Sequence, residues 1–136
     1  MISLSAQYAA RATMHLVRAG TWQTCEDLAA ITGIPQGYLA KIMQSLNRAG
    51  IIGSQRGING GYLASRRPEE ISLLEVVRAV DPPSAYGACQ HCQAGPAGTS
   101  CAVNRVFAGI EADAERVLRT TTIRDLLMEC SPERVA

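Results

Sequence analysis

Apolar residues recur along this chain at helical spacing in most segments and at strand spacing in one. With Ser5 as capping residue, Tyr8, Ala12, Leu16 and Ala19 share a face, which predicts a first helix running to about Arg18 and stopped by Gly20. Thr24 and Asp27 stand at capping-box spacing: the hydroxyl accepts from the N–H three residues on while the carboxylate reaches back, starting a two-turn helix that Gly33 closes. Pro35 then opens a third helix at its first position, where a missing N–H costs no intrahelical bond. Tyr38, Leu39, Ile42, Leu46 and Ala49 mark its apolar face and Gly50 ends it. Ile51, Ile52 and Ser54, the glycine-rich run Arg56-Gly57-Ile58-Asn59-Gly60-Gly61, and Tyr62-Leu63-Ala64 read as two short strands joined in a hairpin.

The second half has the same grammar with one interruption. Ser72 and Glu75 form another capping box, for a helix carrying Leu73, Leu74, Val77 and Val80 until Asp81-Pro82-Pro83 breaks it. From Pro82 to Ser100 there is no apolar period, only Gly, Pro, Ser and Cys, so this is a long loop of the kind that carries function. The longest helix follows, from about Ala102 to Leu118, where Val103, Val106, Ile110, Val117 and Phe107, Ala114, Leu118 make a stripe close to a heptad repeat. Thr122 and Asp125 cap a last helix with Leu126 and Leu127.

Two helices joined at a glycine turn and followed at once by a hairpin give the order of a winged helix-turn-helix. Composition agrees: aromatic residues are only 4%, so the core is built from Ala, Leu, Ile and Val, which favours closely approaching helices over a sheet sandwich. The expected fold is mainly α with a small β-hairpin wing, plus a long dimerisation helix. Three units follow: a DNA-binding winged helix over 1–80, a cysteine-rich loop over 81–101, and the dimerisation and C-terminal helices over 102–136. No window approaches the ~18 apolar residues of a membrane span, and the first residues lack a basic leader, so a cytoplasmic protein without membrane association is expected.

Charge changes the picture by position rather than by total. The net charge is only +1, yet from Leu28 to Pro68 there is no Asp or Glu, while Lys41, Arg48, Arg56, Arg66 and Arg67 all fall there. Ten of the 12 acids lie from Glu69 onward, so the chain has a basic end suited to an anionic partner and an acidic end. On the third helix Gln36, Lys41, Gln44, Ser45 and Arg48 lie away from the apolar face, with Gln and Arg able to pair with purine edges in a major groove. Arg56, Gly57 and Gly60 form a wing tip suited to the minor groove or its phosphates, and Arg66 and Arg67 are expected on phosphate. Tyr38, Leu39 and Ile42 are expected in the core.

The run Ile34-Pro35-x-x-Tyr38-Leu39-x-Lys41-Ile42, continued through Leu46, Ala49-Gly50-Ile51-Ile52, Ser54, Arg56-Gly57, Gly60-Gly61-Tyr62-Leu63-Ala64 and Ser72-Leu73-Leu74-Glu75-Val76, resembles the Rrf2 family of bacterial transcription regulators. The resemblance implies a homodimer whose long helix crosses its twin, with two recognition helices reading a palindromic operator in double-stranded DNA.

Five cysteines, an odd number, in a chain without an export signal argue against a disulfide framework. Cys89-x2-Cys92-x8-Cys101 occupies the loop where many members of the family hold an iron-sulfur cluster, [4Fe-4S] or [2Fe-2S], on thiolate ligands. Relatives take a fourth ligand from a His three residues beyond the last Cys or from a carboxylate on the first helix of the partner subunit. Here those positions are Asn104 and Gln7, so the fourth ligand is open among His91, Gln7, Asn104 and a small exogenous molecule. A Cys3His zinc site using His91 and a metal-free disulfide switch compete with the cluster, as does, more distantly, a thiol oxidoreductase, which wants its Cys-x-x-Cys beside a βαβ unit absent from this pattern. The expectation is a regulator, not an enzyme. Cys25 and Cys130 are expected to be ordinary small apolar residues.

Overall fold

Ser3, not Ser5, caps the first helix. In the computed structural model, which describes residues 2–83 and 102–130, Ser3 is extended and its hydroxyl accepts from the Ala6 N–H at 3.1 Å. Its own N–H and hydroxyl donate to the two carboxylate oxygens of Asp81 at 3.1 and 2.7 Å. That long-range pairing fixes the cap two residues early, and α1 runs Leu4–Ala19 to Gly20 in the left-handed region. The inward face of α1 is Ala6, Ala9, Ala12, Thr13 and Leu16, whose small side chains let α4 (Leu73–Val80) lie close along it. Of the expected set, Ala12 and Leu16 are buried, Tyr8 is half-buried and Ala19 is exposed. Buried Thr13 meets its hydrogen-bonding requirement by donating to the Ala9 carbonyl at 2.8 Å.

The remaining caps follow the local pattern. Thr24, Ser72 and Thr122 each accept from the N–H three residues on, and Asp27, Glu75 and Asp125 reciprocate, starting α2 (Cys25–Thr32), α4 and α6 (Ile123–Glu129). Pro35 occupies the capping position rather than the first helical one, with ψ 131°, and α3 spans Gln36–Arg48. Strands β1 (Ile52–Gln55) and β2 (Gly61–Ala64) pair antiparallel, Ile52 opposite Ala64 and Gln55 opposite Gly61. Leu16, Leu28, Leu39, Met43, Leu46 and Ile52 meet in one core.

Helix α6 returns to that core instead of extending the long helix α5 (Ala102–Thr120). The Leu73 N–H donates to the Thr121 carbonyl at 2.8 Å and the Ile123 N–H to the Ile71 carbonyl at 2.9 Å, pairing the entries of α4 and α6. Ile71 and Ile123 are thereby buried with the winged-helix residues. Near its C-terminal end α5 is held to α4 through Glu115, which accepts from Arg78 at 2.9 Å and from Arg119. None of the described helices is long and apolar enough to cross a membrane.

His15 on α1 is half-buried, and burial, then the nearby Arg18 and Arg11 guanidiniums, hold its pKa below the usual 6.5. Folding therefore favours the neutral ring: its contribution is complete above about pH 6.5 and is lost as pH falls through the lowered native value. Urea-unfolding midpoints measured from about pH 7 down to about pH 5 should fall, and a His15→Gln variant should flatten that slope.

Candidate nucleic-acid interface

The turn between α2 and α3 is built so that α3 stands proud of the body. Gly33 adopts φ 71° and closes α2 by donating to the Ala29 carbonyl at 2.9 Å, and Pro35 turns the chain into α3. Leu39, Ile42, Met43 and Leu46 bury one face of α3, leaving the opposite face in solvent. On that side Lys41, Gln44 and Arg48 are exposed, Ser45 is half-buried at the margin, and Gln36 is exposed at the first position of the helix. The five sequence-derived residues of α3 thus share one helix.

Tyr38 is not a core residue. It is 40% exposed, its ring meets Tyr8 edge-on at 5.8 Å between centroids, and its hydroxyl is hydrogen-bonded to Ser5. The early cap on Ser3 releases Ser5 for this role, so Tyr38 ties α3 to the exposed rim of α1. At the other end of α3, the Asn47 side-chain amide donates to the Ser54 hydroxyl at 3.2 Å, fixing β1 against the helix.

The wing carries Arg56 at the start of its turn, exposed, with Gly57 at φ 111°. The glycines serve the protein's own backbone. A Cβ on Gly60 would strike the Gln55 carbonyl and stand 2.9 Å from the Gly57 carbonyl, so Gly60 is needed to close the turn. Gly61, at φ 138°, lies against the Gln23 backbone, where Tyr62 and Gln23 exchange hydrogen bonds of 2.7 and 2.9 Å. The segment before α2 thereby acts as a third partner for the hairpin. At the tip Ile58 is 103% exposed, an apolar side chain entirely in solvent that charge-based reading passes over.

The cationic segment is smaller in space than in sequence. Arg66 donates to Glu75 at 2.8 Å and to the Glu70 carbonyl, and Arg67 pairs with Glu70 at 3.1 Å and Glu69 at 3.9 Å. The Arg66 hydrogen bond holds the Glu75 carboxyl below its usual pKa. Lys41, Arg48 and Arg56 have no carboxylate partner among the described residues, so the unpaired positive charge of this segment lies on α3 and the wing tip. An exposed polar helix face beside a hairpin tip bearing unpaired cations offers the chemistry that the phosphates and base edges of duplex DNA call for.

Cys89, His91, Cys92 and Cys101 lie outside the described residues, and no cluster of three or more His, Cys, Asp or Glu able to hold a metal occurs among the described residues. Gln7 is exposed on the first turns of α1, whose cap is bound to Asp81 shortly before the cysteine-bearing segment. Cys25 is half-buried with its sulfur 3.6 Å from the Gln36 carbonyl, and burial raises its pKa, which keeps it a thiol.

Residues 2–129 match the family described as "Rrf2: Iron-dependent Transcriptional regulator". Rv1287 of Mycobacterium tuberculosis, named as an HTH-type transcriptional regulator, is 36% identical over 141 residues, covering 99% of this chain and 86% of that one. Two solved structures share the fold: IscR of T. potens at TM-score 0.77 and 22% identity, covering 100% of this chain and 92% of that one, and CymR of B. subtilis, titled the global cysteine regulator, at TM-score 0.78 and 21% identity, covering 96% and 98%. The family match and the Rv1287 relative, with the winged-helix fold, define a winged helix-turn-helix DNA-binding regulator of transcription, not an enzyme. The chain belongs to the Rrf2 family.

Proposed function

We propose that this regulator acts as a homodimer on a two-fold symmetric operator, and that thiol chemistry at Cys89, Cys92 and Cys101 sets the relative placement of its two reading heads. The observation that carries the dimer is the outer face of α5. Val106, Phe107, Ile110 and Val117 are 61, 62, 59 and 55% exposed, a continuous apolar stripe at heptad-like spacing with no partner among the described residues. A second α5 laid across this stripe covers it and brings two copies of α3 to one face.

Within each head, Gln36, Lys41, Gln44, Ser45 and Arg48 face the major groove, and Arg56, with the turn made by Gly57 and Gly60, faces the adjacent backbone or minor groove. Arg66, in contrast, is committed to Glu75 and Glu70 and holds the entry of α4 beneath the wing. Salt titrations of operator binding separate these roles. Arg56→Ala should lower the logarithmic salt slope by about one, the loss expected of one phosphate contact, while Arg66→Ala leaves the slope unchanged. Equal slopes for wild type and Arg56→Ala overturn the wing assignment.

For the sensor, an iron-sulfur cluster on the three cysteines suits a family described as iron-dependent and a donor set of three thiolates. Such a cluster supplies one-electron redox chemistry and an iron open to nitric oxide or oxygen where no protein thiolate binds it. Cys101 directly precedes α5, and the Ser3–Asp81 hydrogen bonds tie the α1 end bearing Gln7 to the approach of the same segment, so strain from either side reaches the dimer helix and the reading head. A ligand acts this way only by binding two arrangements with different free energy. Protein purified without oxygen should contain iron and acid-labile sulfide and absorb visible light. A colourless, iron-free preparation whose DNA binding still responds to oxidant, and loses that response in Cys89→Ser, replaces the cluster with a disulfide switch.

A further inference from the structure

Two described glycines lie inside helices, Gly37 in α3 and Gly109 in α5, and neither is there for the fold. Neither has positive φ, and a Cβ built on either meets nothing within 4 Å. Glycine is the poorest helix former after proline, so an exposed glycine in α3 weakens the element proposed above to read DNA. The usual reasons for keeping one are a left-handed turn, as at Gly33 and Gly57, or close internal approach, as at Gly60 and Gly61. Both are absent at Gly37.

Its position supplies the reason. Gly37, Lys41, Gln44 and Arg48 follow at intervals of four, three and four residues and so form one stripe along α3, opposite buried Leu39, Ile42, Met43 and Leu46. Gly37 sits in the first turn of that stripe, the end of a recognition helix that enters deepest into the groove. We infer that Gly37 is a specificity-determining residue: its missing side chain leaves a recess that receives the C5-methyl group of a thymine. Of the four base-pair edges only those with thymine project a hydrocarbon group into the major groove. The acceptors and donors of the other bases facing a residue without a side chain lose their water and gain no partner, whereas a methyl fills the recess and restores dispersion contacts.

The inference rests on the DNA reading of α3. Its test uses the duplex that wild-type protein, purified without oxygen, enriches from a random-sequence library. Gly37→Ala should fold with an unchanged or higher Tm and bind that duplex about tenfold more weakly, since the added methyl competes for the recess. Replacing thymine by uracil one position at a time should restore Gly37→Ala binding at one position per half-site and weaken wild-type binding there. Affinity within twofold of wild type for both Gly37→Ala and Gly37→Leu overturns the recess. A drop that no uracil substitution restores overturns the thymine assignment. If Lys41→Ala and Arg56→Ala also bind like wild type, or wild type enriches no sequence, the placement of the DNA surface falls as well.

Discussion

Gly61→Ala is expected to destabilise the protein by about 3 kcal/mol, more than loss of any one cap, and to weaken operator binding in whatever remains folded. Two costs add. At φ 138° an L side chain is strained, and the new Cβ is driven into the backbone carbonyl of Gln23, which has no flexible end to swing away. Relief requires breaking the paired bonds between Gln23 and Tyr62, so the hairpin separates from the segment leading into α2. Urea unfolding measures the first effect. Amide exchange at Tyr62 measures the second, with protection lost there before the α1 core opens. A variant as stable as wild type, with protected Tyr62, would show that the wing is not anchored at this point.

The other large effect is expected on α5. Phe107→Glu combined with Ile110→Glu should give a folded monomer at micromolar concentration by analytical ultracentrifugation. Operator affinity should fall by at least about a hundredfold, because one reading head then binds without the other. Both side chains are mostly in solvent within the single chain, so the substitutions remove little of its own packing and the Tm of the winged-helix core should move little beyond the loss of dimer linkage. A dimer that persists in this variant sinks the α5 interface.

Much of this was legible in the sequence because the signals are local. The boxes at Thr24, Ser72 and Thr122 close hydrogen bonds within four residues, so their spacing alone locates three helix starts. The recognition helix, the hairpin and the apolar stripe of α5 are likewise periodic patterns. What escaped depends on distant partners. The choice between Ser3 and Ser5 is made by Asp81, 78 residues away. Tyr38 shares the apolar periodicity of α3 but faces the rim of α1, where Ser5 and Tyr8 take it up. Arg66 and Arg67 look cationic until the chain folds and brings Glu69, Glu70 and Glu75 to them. Nothing local shows that Gly60 and Gly61 also make room for the protein's own backbone, because Gly61's neighbour is the distant Gln23.

The candidate DNA surface is left with fewer unpaired charges among the described residues than the sequence suggests. Lys41, Arg48 and Arg56 keep their exposure, and the scaffold behind them is fixed by Asn47 on Ser54 and Gln23 on Tyr62.

That last pairing makes each reading head a solid jaw. With the hairpin bolted to the segment before α2 at one edge and to the end of α3 at the other, helix and wing cannot tilt independently. The proposed dimer would then pair two such jaws as a caliper does, with the distance between them adjustable and the shape of each held. In the dimer proposed above, control is then expected to change the gap rather than the grip, and an operator with its two half-sites moved apart by a base pair should be the most sensitive gauge of its signalling state.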